Sequence, residues 1–303
     1  MDFEPFLNYW ETIRNCSPQT IQAYRNDLEL FEAFLQGQSV ADISQVDHLV
    51  IANYIKHMEQ KVNLRFARIG LAESSIARRL SAVSAYFKYL CGTSDPMLQN
   101  PLSNNLRKWH RDKTPKPVDD MTLELLITGM TNIRDRALFT LLLASGLRVS
   151  EMHQLNRDSI GIEVEVKPNG QECVIGTGKV VGKGNKPRSF FVDEETLCLY
   201  SEYVATRADT NPALFLSERK KRMSVRAIQQ TLATWCTRLG APHINVHRLR
   251  HSFATRLANA DIPDMVLKDL LGHDSFSTTL GYRELSDKSL ARSYFSAMER
   301  VSR

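Results

Sequence analysis

The sequence predicts a mainly α protein of two domains, one of which carries a small antiparallel sheet of about three strands. Three observations lead there. Over roughly the first hundred residues, apolar side chains recur at three- and four-residue steps, the period of an amphipathic helix. A basic, proline-containing stretch then breaks the pattern at residues 108–120. Beyond it the helical period returns, gives way to strand-like alternation between Ile162 and Val192, and returns once more.

The N-terminal elements follow from their start signals. Ser17-Pro18 supplies an N-cap and a first-turn proline. Behind them Ile21, Tyr24, Leu28, Phe31 and Leu35 form one stripe, with Gln22, Arg25, Asn26 and Asp27 expected opposite. A second helix is predicted over Val46 to Glu59, with Leu49, Ile51, Tyr54 and Ile55 inside. A third spans Glu73 to Leu90 and buries Ile76, Leu80, Val83, Phe87 and Leu90. Arg78, Arg79, Ser81, Ser84 and Lys88 then fall on its wetter side. Cations interleaved with small hydroxyls suit close approach to a DNA backbone or groove; a plain solvated face has the same composition.

A boundary is expected from Asn100-Pro101 to Asp120. The run Arg107 to Pro117, with Lys108 and Arg111, holds five Lys/Arg against one acid. Its composition is that of a stiff, basic, extended linker, able to follow a phosphate backbone or simply to connect. The predicted domains are therefore 1–107 and 121–303, joined by 108–120.

In the second domain a helix opens at Leu123. A strongly apolar one over Arg134 to Ser145 ends at Gly146, a suitable left-handed cap that holds Arg148 rigidly near the core. Strands are predicted over Ile162–Lys167, Glu172–Val181 and Ser189–Val192, with Gly182 to Arg188 as a hairpin tip. That tip lacks the spacing of a phosphate-cradling P-loop. Helices resume after Asp193. Ser224–Leu239 turns Val225, Ile228, Leu232, Trp235 and Cys236 inward, a helix from Asn245 ends near Ala260, and Asp264–Leu271 closes at Gly272-His273. Phe276–Leu285 follows, and Lys288–Val301 is an amphipathic tail.

Composition narrows the class. At 303 residues, 43 % apolar and 24 % charged, the chain resembles an ordinary soluble protein with room for two cores. No stretch approaches the roughly 20 apolar residues that span a bilayer. The acidic start Met1-Asp2-Phe3-Glu4-Pro5 has no apolar signal core, so no membrane partner and a cytoplasmic location are expected. A net charge of +5 is only a mild cationic excess. The five cysteines are scattered without a C-x-x-C pair, which indicates neither a zinc site nor a disulfide framework.

The densest cationic stretch is Asn245 to Arg256. His247 and Arg250 share a face if a helix starts here, and a proton carrier beside a permanent cation suits a phosphodiester. A solvated basic helix start has the same pattern. His243, His247 and His251 lie four apart, yet Pro242 and Asn245 oppose a helix through His243, and no H-E-x-x-H glutamate is present. No metal is expected.

Five segments occur in order: Ala144-Ser145-Gly146-Leu147-Arg148-Val149-Ser150-Glu151, Gly182-Lys183-Gly184-Asn185-Lys186-Pro187-Arg188, His247-Arg248-Leu249-Arg250-His251, Leu271-Gly272-His273 and Thr279-Leu280-Gly281-Tyr282. Together they resemble the tyrosine recombinase (phage integrase) family, especially its compact Xer-type members, over essentially the whole chain. The Arg283-Glu284 pair after the tyrosine departs from many relatives, and the segment from Ile162 to Val181 is longer and richer in glycine than expected.

The resemblance implies a two-domain DNA clamp that needs no cofactor. Tyr282 would be the nucleophile, Arg148 and Arg250 the phosphate ligands, His247 a proton acceptor or shuttle, and His273 a phosphate partner. Lys183 would be the general acid, and Glu151 would orient the cationic cluster. DNA contacts would come from Arg25, Arg78, Arg79, Ser81, Lys108 and Arg111. The implied partners are a double-stranded recombination site and four protomers assembled on it, with a paralogous recombinase as a permitted member. A type IB topoisomerase shares the tyrosine chemistry, and a catalytically inactive DNA-binding regulator would share the fold.

Overall fold

The computed structural model describes residues 1–63, 68–93, 96–102, 117–166, 170–182, 187–260 and 262–272. Lys108, Arg111, Lys183, His273, Tyr282 and the Lys288–Val301 tail lie outside these. The chain forms two compact units, Met1–Lys113 and Thr114–Arg303.

Among the described residues, the first unit is built on four α-helices: α1 (Glu4–Thr12), α2 (Pro18–Gly37), α3 (His48–Gln60) and α4 (Glu73–Thr93). A two-stranded ribbon of β1 (Val62–Asn63) and β2 (Arg68–Ile69) joins the last two, where only helix was expected. Ser17 caps α2 by accepting from the Thr20 amide, and Asp47 caps α3 through the Leu49 and Val50 amides. The core gathers Phe6, Leu28, Phe31, Tyr54, Met58, Leu80, Val83 and Phe87.

Four side chains lie off the predicted faces of this unit, and Tyr24, Ile55 and Leu90 are half-buried rather than inside. Leu49 is 62 % exposed, because the inward stripe of α3 is Ile51, Tyr54 and Met58, and Leu49 stands two residues off it. Asp27, expected on the polar side of α2, is buried and ion-paired with Arg78. Burial raises its carboxyl above the ordinary value, against the opposing pull of Arg78 and Arg79. Arg79 is turned toward the same carboxylate, with Nε at 3.8 Å and a side chain only 15 % exposed. Ser84 is also buried, one turn from Leu80 and Phe87, and its hydroxyl accepts from Asn100 at 3.0 Å.

The second unit packs α5 (Asp120–Gly129), α6 (Ile133–Ser145), α7 (Val149–Gln154), α8 (Glu194–Ala205), α9 (Val225–Arg238), α10 (Val246–Asn259) and α11 (Asp264–Leu271) with one sheet. That sheet is antiparallel, ordered β3 (Gly161–Val166), β4 (Glu172–Val181), β5 (Pro187–Val192). α6 is the central helix: Leu138, Phe139, Leu141 and Leu142 are buried in a cluster with Phe190, Val192, Ile228 and Leu232. Trp235 closes the cluster and donates to the buried Asp135 carboxylate at 2.9 Å. Val225 is half-buried rather than inward: it shares the face of Ile228 but is the first residue of α9, at the open end of that stripe. The mainly α architecture with one three-stranded antiparallel sheet is the one expected.

One boundary shift matters for the site. Pro187 and Arg188 are not in a hairpin tip; they are the first residues of β5, paired opposite Val181 and Val180. Alternation along β5 buries Arg188, Phe190 and Val192 on one face.

Candidate active site

Gly146 ends α6 in the left-handed conformation, with φ of +60°. The chain then turns through Leu147 and Arg148 into α7. Arg148 is extended, and its amide donates to Glu151 Oε2 at 2.7 Å. A carboxylate three residues into a helix satisfies an otherwise orphaned amide and favours the helix N-terminus. The same carboxylate accepts from the Arg148 side chain at 2.8 Å and from Arg188 Nη2 at 2.6 Å. Burial pushes Glu151 up, but Arg188 and Arg148 outweigh it and hold the carboxyl below its usual value.

Arg250 comes from α10, whose start is fixed by Asn245 accepting from the Arg248 amide at 3.0 Å. It is only 2 % exposed. Nη1 donates to the Gly146 carbonyl at 2.6 Å and lies 4.0 Å from Glu151 Oε2. Nη2 donates to the Leu271 carbonyl.

α11 completes the arrangement. Its last carbonyls have no helical partners and carry the negative end of the helix dipole. Three arginines from three other elements take three successive ones: Arg188 that of Leu270, Arg250 that of Leu271, and Arg148 that of Gly272 at 2.9 Å. Gly272 adopts φ of +58° and ends the helix directly before His273 in the chain. Arg148, 28 % exposed, is the most open of the three guanidiniums.

His247 stands one turn before Arg250 on the exposed side of α10, its ring 4.6 Å from that of His251 and nearly perpendicular to it. Partial desolvation, then Arg250 and Arg148, lower its pKa, so the neutral imidazole that can accept a proton predominates near pH 7. The other cations of this stretch serve the fold. Arg248 donates to the Pro117 carbonyl at 3.0 Å and Arg256 pairs with Asp120 at 2.6 Å.

The structure thus brings Arg148, Glu151, His247 and Arg250 together from distant parts of the sequence. It adds Arg188, which the glycine- and lysine-rich sequence pattern alone puts in a turn. The signal was available: two residues before Phe190 and four before Val192, a charged side chain on the core face needs a buried partner. In the first unit, Arg25 donates to Glu4 at 3.0 Å, Arg78 keeps an exposed side chain while paired with Asp27, and Ser81 donates back to the Ala77 carbonyl at 2.8 Å.

Comparison with known proteins decides the family. Residues 118–289 match the phage integrase family and residues 3–92 match the phage integrase N-terminal SAM-like domain. The chain belongs to the phage integrase family. It is 34 % identical over 310 residues to a tyrosine recombinase XerC of Haemophilus influenzae (strain 86-028NP), covering 97 % of each chain. It is 31 % identical to that of Histophilus somni (strain 2336), covering 99 % of this chain and 98 % of the relative. Among solved structures, the Tn1549 transposon integrase in complex with transposon right-end DNA aligns with a TM-score of 0.72 at 19 % identity, over 97 % of this chain and 98 % of that one. The XerH recombinase bound to its difH substrate aligns at 0.67 and 21 % identity, over 93 % and 80 %. Those two likenesses are of fold. The protein is an Xer-like tyrosine recombinase, an enzyme that cuts and rejoins DNA.

Proposed function

We propose that this recombinase cleaves each strand through Tyr282. Its phenolic oxygen bonds to the scissile phosphorus, the bond from phosphorus to the 5′-oxygen breaks, and a 3′-phosphotyrosyl link remains. A free tyrosine has a pKa of about 10, so the proton needs an acceptor near neutral pH. Neutral His247 takes it. Lys183 gives a proton to the departing 5′-oxygen. Arg148 and Arg250 stabilise the charge that builds on the phosphate, because guanidinium is always charged and forked. His273 bonds the same phosphate, and Glu151 holds the arginines in register. The phosphotyrosyl bond conserves the free energy of the phosphodiester, so rejoining needs no ATP.

The observation that carries this reading is the set of three arginines and Glu151 fastened to the end of α11, immediately before His273 in sequence and ten residues before Tyr282. We further propose that residues 1–107 bind one side of the duplex, 108–120 link, and 121–303 hold the chemistry. Four protomers would exchange strands pairwise through a Holliday junction in the cytoplasm, with Lys288–Val301 as the subunit contact and a paralogue admitted to the assembly. Chromosome-dimer resolution, phage integration and excision, and movement of a mobile element all fit.

A nicked duplex carrying the recombination site tests the core of this. A covalent protein–DNA adduct should form with the native chain and vanish in Tyr282→Phe. No adduct on a site the protein verifiably binds would sink the proposal, and supercoil relaxation without site preference would favour a topoisomerase.

A further inference from the structure

Arg188 is buried, charged and absent from the chemistry just described. Its guanidinium donates to Glu151 at the start of α7 and to the Leu270 carbonyl at the end of α11. Its stem passes over Gly272, where an added Cβ would meet Arg188 Cδ at 2.7 Å. One side chain therefore ties together three elements. A lone buried cation would cost several kcal/mol, and the Glu151 carboxylate offsets that cost here. Lysine is a point charge without the fork, so it cannot hold both acceptors in the same way.

The position of Arg188 in the sheet gives this contact a consequence. Val181 pairs with Pro187 and Val180 with Arg188, so the two strand ends that flank Lys183 in the sequence are paired beside Arg188. We propose that Arg188 is a positioning residue for strand cleavage: it fixes the base of the connection bearing Lys183 relative to Glu151 and to the end of α11. Its enclosure keeps it away from the substrate, so it acts through Lys183. The inference rests on the reading of Lys183 as the general acid.

Leaving-group chemistry separates this role from a merely structural one. A 5′-oxygen leaves with a proton, whereas a 5′-sulfur leaves as a thiolate, a much weaker base than an alkoxide, and needs none. Full-length Arg188→Met and Arg188→Lys are compared with the native chain in single-turnover adduct formation on nicked duplexes with oxygen or bridging sulfur at the 5′ position. DNA affinity and thermal midpoint are measured alongside. Both variants should slow about 100-fold on oxygen, the scale of a misplacement of about 1 Å. On sulfur they should stay within about threefold of native, with similar DNA affinity.

Equal losses on both substrates, or no loss on oxygen, would overturn the proposal. If the methionine variant does not fold, the lysine variant decides, and a native rate on oxygen there refutes it. Lys183→Ala is the control for the underlying reading. If sulfur rescues Lys183→Ala but not the Arg188 variants, the positioning role alone fails. If sulfur does not rescue Lys183→Ala, the general-acid assignment fails and takes the inference with it.

Discussion

His251 shows at the scale of one residue how the site strains against protonation. Burial first, then His247, Arg250 and Arg248, push its pKa down from 6.5 to about 4. Below pH 6.5 the unfolded chain takes up a proton that the folded chain refuses. The stability tied to neutral His251 is therefore fully present above 6.5 and declines as pH falls toward 4, by on the order of 3 kcal/mol across the window. Urea unfolding between about pH 7.5 and 5 should show a falling midpoint, and His251→Gln should flatten that fall. The same pH dependence in both proteins would refute the assignment. Single residues were legible in the sequence where their chemistry was rare in context, as with the His247–Arg250 pair. Asp27 and Arg188 were missed because each sits among other polar or cationic residues, and nothing in composition shows which one folds inward. Only the helical step from Asp27 to Phe31 and the strand step from Arg188 to Phe190 pointed there.

Among the elements, the corner between α6 and α7 sets the site's geometry. Gly146 needs its positive φ, and a Cβ there would stand 2.2 Å from the Phe253 ring, while its carbonyl anchors Arg250. Gly240 has a similar φ of +64° with open space around it. Gly240→Ala should therefore cost only the left-handed penalty, about 1 kcal/mol. Gly146→Ala should cost that plus roughly 1–3 kcal/mol of overpacking, and should also slow cleavage by displacing Arg250. Equal urea midpoints for the two variants would show that Phe253 yields freely. The end of α6 was legible because one glycine follows a long apolar run. The start of β5 was less so: Gly182 to Arg188 reads as one polar turn, and only the pairing partners Val180 and Val181 show where the strand begins. Likewise the outward turn of Leu49 is set by which stripe of α3 meets the core, and periodicity alone leaves neighbouring stripes in competition.

For the whole molecule, a net charge of +5 is too small to govern DNA affinity, so local cations must. Several are already spoken for: Arg25 by Glu4, Arg78 by Asp27, Arg256 by Asp120. A cation held by a carboxylate releases little from the counterion atmosphere of DNA when it docks, whereas an unneutralised one releases nearly one ion. The run 107–117 has five Lys/Arg and a single acid, and the two family matches, ending at 92 and resuming at 118, leave it outside both domains. If it follows the phosphate backbone, replacing Lys108 and Arg111 by alanine should reduce the slope of log K against log salt by about 1.8 in magnitude. The preference for the recombination site over random duplex should stay nearly constant, because phosphate contacts position without reading sequence. Arg25→Ala should change the slope by much less than one unneutralised cation does. Titrations at several salt concentrations distinguish these outcomes: an unchanged slope in the double variant would show that Lys108 and Arg111 make no phosphate contact.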